Sequence, residues 1–408
     1  MKAVVFRGVG KVEIEDVPDP RIADDTDAVV RITASAICGT DLHFVRGTVS
    51  DMREGTVLGH EGVGIVEELG DNVRNLNIGD RVVIASTIAC GTCSYCRSGY
   101  YSQCDQANPH GPGAGTAFFG GPKSTGPFHG LQAEKALVPF AHVGLVKLPD
   151  EVSDEQAIML ADIFPTGYFG AELAEIKQGD TVAVFGCGPV GQFAIASAAL
   201  LGAGRILAVD MVPSRLDMAR AQGAEVIDAN EESPPDTIKR LTGGIGVDRA
   251  IDAVGIDSFR PSHGPAARAM EEKEEQFDRE LEESAPDADP DATEWQPGNA
   301  PSLAVTWAVE SLAKAGTLAI IGVYPPGARF FPIGPAMNKN LTLQMGNCPH
   351  RKYIPRLIRL VQSGVVDPSR VLTQQGPLSG AVEAYKAFDK RQAGWIKVEL
   401  EPAMSHAP

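Results

Sequence analysis

The chain has 408 residues, 43% apolar and 22% charged, which is enough for two or three domains with real cores and excludes both a disordered chain and a small disulfide scaffold. A formal charge of −17 argues against nucleic acid or an anionic membrane as partner. There is no run of about 18 apolar residues, and Met1-Lys2-Ala3-Val4-Val5-Phe6 reads as a first strand, not a secretory signal, so the expected location is the cytoplasm.

Residues up to about 150 are rich in Gly and Val, with short alternating runs at 28–32, 62–67 and 80–84, each bounded by turn residues; this part reads as β-rich. Within it, Cys38-Gly39-Thr40-Asp41-Leu42-His43 follows a strand and Gly59-His60-Glu61 precedes one. Four cysteines, Cys90, Cys93, Cys96 and Cys104, fall within 15 residues. Residues 108–130 are dense in Gly and Pro and read as a loop. Asp162 lies where the pattern changes.

Beyond it, strands at 181–185, 205–209, 250–254 and 317–323 alternate with helices at 191–201, 214–222 and 304–313, the signature of a parallel sheet covered on both faces. Residues 256–299 interrupt the alternation. Between Glu271 and Glu294 stand 12 acids and two bases, and a charged helix over 266–283 followed by an acidic run at 286–291 reads as a solvated insertion. The chain closes with helices at 355–363 and 381–391 and a strand at 395–400.

Gly186-Cys187-Gly188-Pro189-Val190-Gly191 follows a strand and opens a helix, and Asp210 ends the next strand 19 residues after Gly191. In that context the glycines and the helix N-terminus fit a dinucleotide pyrophosphate, with Pro189 and Val190 in the loop. A carboxylate at Asp210 fits the ribose hydroxyls and repels a 2′-phosphate, which favours NAD over NADP; Arg215 is placed to flank the ribose or a phosphate. Lys397, on the last strand, is a further candidate for a phosphate. The four clustered cysteines offer a closed thiolate set for a structural Zn²⁺. Cys38, His60 and Asp162 would make a thiolate–imidazole–carboxylate set with one position open, as a catalytic zinc requires, although spacing alone does not bring the three together. The remaining histidines, His350 among them, match no ligand motif.

Taken together, these motifs resemble the zinc-containing medium-chain alcohol dehydrogenase family over nearly the whole chain except 256–299. Within the family, Cys38 to Gly47 and Asp162-Ile163-Phe164-Pro165-Thr166-Gly167-Tyr168 look most like glutathione-independent formaldehyde dehydrogenases and threonine dehydrogenase-related bacterial members. The resemblance implies an α/β protein: a GroES-like β-rich zinc-binding catalytic domain (1–163 and 346–408) and a Rossmann doubly wound coenzyme domain (164–345, with the acidic insertion). It implies two Zn²⁺ per chain, a catalytic one on Cys38, His60 and Asp162 with Glu61 nearby or exchanging, and a structural one on the four cysteines. Asp41 would orient His60, Thr40 and His43 would relay a proton, and Thr166 would pack near the nicotinamide. The expected activity is hydride transfer between NAD and an alcohol or aldehyde, with formaldehyde, threonine or a polyol as alternative substrates, in a homodimer or homotetramer. A non-enzymatic dinucleotide-binding protein would show damaged ligand positions, and a zinc-free quinone reductase would lack Cys38, His60 and the cysteine lobe; here every such position is filled.

Overall fold

The computed structural model describes residues 1–402 except 112 and 289–293, so part of the acidic run expected at 286–291 lies outside the described residues. Two compact units are present: the first takes Met1–Pro165, Asp289–Trp295 and Asn347–Pro408, the second Thr166–Ala288 and Gln296–Gly346.

In the first unit, β1 (Lys2–Gly8) and β2 (Lys11–Asp16) form an antiparallel pair. A larger sheet is built from β3 (Ala28–Ile37), β4 (Gly62–Leu69), β5 (Arg81–Ile84), β6 (Lys135–Val138) and β7 (Leu145–Lys147). These are the alternating runs of the sequence. Their inward residues Val30, Ile32, Val66, Val82 and Ile84 share one core with Cys90, Cys96 and Cys104. Alternation thus buries one face and ties the cysteine lobe to it.

The second unit is a six-stranded parallel sheet: β8 (Thr181–Phe185), β9 (Arg205–Asp210), β10 (Glu225–Asp228), β11 (Val247–Asp252), β12 (Leu312–Ile320) and β13 (Thr342–Met345). The spatial order is β10-β9-β8-β11-β12-β13, so the chain winds outward from β8 in one direction and from β11 in the other. Crevices at such a reversal are where doubly wound sheets hold nucleotides. Along β8, Ala183 and Phe185 face one core while Val182 and Val184 face the other, which is why the strand reads as an unbroken apolar run.

The chain then returns to the first unit. There β14 (Gln374–Pro377) and β15 (Val398–Glu401) complete the sheet in the order β14-β15-β3-β4-β5-β7, with β6 alongside the start of β3. β15 runs antiparallel to the far end of β3, Val398 opposite Ile37.

The structure departs from the sequence expectation in several places, three of which matter most here. β10 and the helix Pro234–Leu241 stand where no element was expected. The helix expected from Pro355 opens earlier, as His350–Gln362, and carries Pro355 inside it. The charged helix expected over 266–283 is present as two helices, Gly264–Met270 and Glu274–Ser284, but it is not a solvated appendage. Ala266, Met270 and Phe277 pack into the core of the second unit with Leu303 and Trp307, while Glu271, Glu272, Glu274 and Glu275 face solvent. Amphipathicity, with all of the helix acids but Glu280 outside the buried face, explains a composition that resembles disorder. Among the described residues no helix is long and apolar enough to cross a membrane.

Candidate active site

In the first unit, β3 ends at Ile37 and Cys38 caps the helix Gly39–Val45. Asp41, in its first turn, accepts the Cys38 backbone N–H through Oδ2 at 3.0 Å, which fixes where the thiol emerges. The other oxygen, Oδ1, lies 3.2 Å from His60 Nδ1. Asp41 is held in turn by Gln132, whose amide donates to Oδ2 at 3.2 Å and whose carbonyl accepts the Tyr385 hydroxyl at 2.8 Å. His60 lies two residues before β4, directly after Gly59, whose φ of +91° suits glycine; a Cβ there would lie 2.4 Å from Gln132 Cγ. Asp162 interrupts two helices, Asp154–Ala161 and Ile163–Leu173, in non-helical backbone at φ −143°, ψ −68°.

These three elements bring the Cys38, His60 and Asp162 ligand atoms within 4.8 Å of one another, all buried. Asp162 Oδ2 is 3.2 Å from His60 Nε2 and 3.6 Å from Cys38 Sγ. The Glu61 carboxylate stands outside this group, fully buried and ion-paired with Lys397. Burial pushes the Cys38 thiol up, with His60 opposing. Burial alone would lower His60, but Asp41 and Cys38 outweigh it and hold the ring well above its usual value. Burial would raise Asp162, yet hydrogen bonds from His350 and His60 hold it well below. A soft thiolate, an imidazole and a carboxylate converging in a dry pocket fit a zinc ion, which would supply the positive charge that a deprotonated thiol needs there. Thr40 is the second residue of the same helix, its Oγ1 3.9 Å from Cys38 Sγ, and His43 follows one turn on, 5% exposed.

The four cysteines converge as well, with all four sulfurs within 4.8 Å of one another and every cysteine a free thiol. The Cys90–Cys96 and Cys93–Cys104 sulfurs are each 4.0 Å apart. A tetrahedron with Zn–S bonds of roughly 2.3 Å requires sulfurs about 3.8 Å apart, so the set fits zinc with little movement. Burial works against the Cys90 thiolate, but hydrogen bonds from the Thr92 hydroxyl and the Thr92 and Cys93 N–H groups outweigh it and lower its pKa to about 6.

In the second unit, the loop between β8 and the helix Pro189–Leu200 turns at Gly186, φ +88°. A Cβ on Gly191 would sit 1.8 Å from the Gly186 carbonyl oxygen, so the helix approaches its strand only through glycine. Gly188 caps the helix and Pro189 fills its first turn; no side chain caps this N-terminus, so its free N–H groups fit a pyrophosphate. Asp210 accepts the N–H groups of Cys187 at 2.7 Å, Met211 at 2.7 Å and Val212 at 2.9 Å, locking the loop to the end of β9. The Arg215 guanidinium borders Gly188, and Val190 lies in the same first turn. Thr166 is the first residue of the second unit, in the helix Ile163–Leu173.

Three residues near the metal set escaped the sequence reading, and a fourth, Lys397, was given another role. His350 Nε2 is 2.6 Å from Asp162 Oδ1. Gln132 supports Asp41, as described above. Phe118, in the glycine-rich loop, meets the His60 ring edge-on with centroids 6.2 Å apart. Lys397 is not a phosphate ligand: it is fully buried, donates to the Ile37 carbonyl at 3.0 Å and pairs with Glu61. A lysine between Ile396 and Val398, at the head of a buried strand, is itself the signal of a buried acid partner. For the other three, separated by up to 263 residues from what they touch, a single sequence carries no signal.

Residues 24–150 match the family described as alcohol dehydrogenase GroES-like domain, and residues 189–263 that described as zinc-binding dehydrogenase. A relative in Bacillus subtilis, the uncharacterized zinc-type alcohol dehydrogenase-like protein AdhB, is 38% identical over 406 residues, 98% of this chain and 100% of that one. The glutathione-independent formaldehyde dehydrogenase of Pseudomonas aeruginosa is 40% identical over 273 residues, 64% of this chain and 67% of that one. Among solved structures, alcohol dehydrogenase TADH from Thermus sp. ATN1 superposes with a TM-score of 0.80 at 33% identity, over 98% of this chain and 100% of that one.

Proposed function

The chain belongs to the zinc-containing medium-chain alcohol dehydrogenase family, and from that premise we propose which of its residues hold zinc, NAD and substrate and what each does. The activity is that of a zinc- and NAD-dependent alcohol dehydrogenase. The first unit is its catalytic domain and the second its coenzyme domain. Cys38, His60 and Asp162 hold the catalytic zinc; Cys90, Cys93, Cys96 and Cys104 hold a second, structural one. The convergence of the first three side chains, from separate parts of the chain, on one buried point carries this reading. When bound, zinc supplies a Lewis acid that lowers the pKa of an alcohol hydroxyl, and NAD supplies the hydride acceptor.

The chain's own residues do the rest. Asp41 aims His60 and pins Cys38. Thr40 accepts the substrate hydroxyl proton and His43 passes it on towards solvent. The Gly186–Gly191 turn and helix N-terminus take the pyrophosphate, Arg215 flanks it, and Asp210 selects the unphosphorylated ribose. Thr166 borders the nicotinamide. Glu61, tied to Lys397, stays beside the metal set rather than in it. The substrate is a small alcohol or aldehyde, and kinship with the Pseudomonas enzyme puts formaldehyde on the short list. A soluble homo-oligomer in the cytoplasm is the setting proposed, and the exposed edge strand β13, with Leu343 and Met345, supports the assembly.

The test is metal analysis of the purified chain with NAD reduction over formaldehyde, ethanol, 2-propanol, butanediol and threonine. Two zinc ions per chain and turnover of one or more substrates are expected; a chain that holds one zinc and turns over none contradicts the reading. Asp162→Ala should lose one zinc and fall to background turnover while the fold survives, and full turnover with two zincs would remove Asp162 from the site.

A further inference from the structure

We propose that His350 is a positioning residue for the metal site: by holding one oxygen of Asp162 it leaves the other as the single oxygen facing the metal and keeps a coordination position open for substrate. The proposal rests on the reading of Cys38, His60 and Asp162 as zinc ligands. The two Asp162 oxygens are sent in different directions. Oδ2 faces His60 and Cys38, at 3.2 and 3.6 Å, and Oδ1 lies 2.6 Å from His350 Nε2. A carboxylate only accepts, so Nε2 carries the proton and donates. On the far side of the ring, His350 Nδ1 lies 3.1 Å from Thr87 Oγ1, nearer than the Cys348 carbonyl at 3.5 Å. With the Thr87 hydroxyl donating to Nδ1, the ring is held as the Nε2–H tautomer, its one donor aimed at Asp162.

The whole chain of contacts is dry: Asp162 is 8%, His350 4% and Thr87 5% exposed. A short hydrogen bond to a carboxylate oxygen in such surroundings is strong and commits that oxygen. A carboxylate free to use both oxygens would fill the position that a catalytic zinc leaves to substrate. His350 thus does for a carboxylate ligand what Asp41 does for an imidazole ligand, the usual carboxylate–histidine–metal order run in reverse. Its place is set by packing. It opens the helix His350–Gln362, whose buried face carries Tyr353, Ile354, Leu357 and Ile358.

Two substitutions separate positioning from bulk. In His350→Gln the amide nitrogen takes the place of Nε2 and still reaches Oδ1. In His350→Asn it takes the place of Nδ1, keeping a partner for Thr87 but losing Asp162. Full-length protein carrying cobalt(II) in place of zinc is compared by visible absorption, with Asp162→Ala subtracted to isolate this site, because four-coordinate cobalt absorbs far more strongly than five-coordinate. The expected result is the intense wild-type band in His350→Gln and a weak band in His350→Asn, with metal lost to a chelator about 10- to 100-fold more readily in the Asn variant. Equal spectra and equal metal retention in the two variants, whether both like wild type or both impaired, overturn the proposal. An Asp162→Ala protein that keeps the wild-type band would instead remove the ligand assignment beneath it.

Discussion

A carboxylate buried without a counter-charge leaves a mark on the pH profile of stability. Glu399 on β15 is 3% exposed and its Oε2 makes no hydrogen bond; burial, with Glu155 and Glu401 nearby, pushes its pKa up to about 7. In the unfolded chain the group returns to its usual 4.5. The folded state therefore binds the extra proton between these values, and stability falls as pH rises through that window. Glu399→Gln should change unfolding in urea little at pH 5 and stabilise the protein by about 1–3 kcal/mol at pH 8. An equal gain at both pH values would show that ionisation is not the cause. At this scale the sequence is uneven evidence. Cys38, His60 and the four clustered cysteines stand in local motifs and are legible. Asp162 needed the family resemblance, and His350 and Gln132 needed the fold, because each acts across a contact that no local pattern encodes.

Elements were legible where the apolar period was strong. β8 was read residue for residue, since Thr-Val-Ala-Val-Phe at 181–185 is a buried run between polar ends. β10 was missed because a four-residue edge strand, Glu-Val-Ile-Asp, has two apolar residues and no run to detect. The helix Pro234–Leu241 was missed because Pro234-Pro235 reads as a breaker, whereas at the first helical positions it is a start signal. The acidic helix Glu274–Ser284 was misjudged by composition, and Phe277 tests the correction. It is 1% exposed, so Phe277→Ala should cost about 3–5 kcal/mol in urea unfolding, where a solvated segment would lose at most about 0.5. The cysteine lobe makes its own prediction. Its one helical turn, Ser94–Arg97, is too short to hold itself. Cys93→Ser should release one zinc and lower the melting temperature well before it touches the chemistry at Cys38; unchanged heat stability with one zinc missing would deny the lobe a structural role.

For the whole molecule, alternation of strands and helices was enough to anticipate the parallel sheet of the second unit, whereas a first unit split between residues 1–163 and 346–408 was expected only from the family resemblance. Strand order there depends on pairings such as Val398 with Ile37, which leave no local trace. The outer edge of the other sheet, β13, exposes Met345 at 59%, and the nearby sequence exposes Ile333 at 71% and Met337 at 77%. Unpaired backbone beside apolar side chains invites a second copy. Light scattering should report two or four times the chain mass, and Met345→Asp should shift it towards a single chain; a monomeric wild type would remove the proposed assembly.

The last strand carries a consequence for how the protein is made. β15 supplies the partner for the end of β3 that leads into Cys38, and Lys397 just before it neutralises Glu61. Translation at about 5–20 residues per second therefore leaves the nascent chain for tens of seconds with that end of β3 unpaired and the Glu61 carboxylate without its lysine. The second unit, all of whose strands lie before residue 346, has no such wait and can fold on the ribosome first. A chain released before residue 397 would carry an intact coenzyme fold and a cysteine lobe beside an open strand edge, the kind of product that aggregates or is degraded.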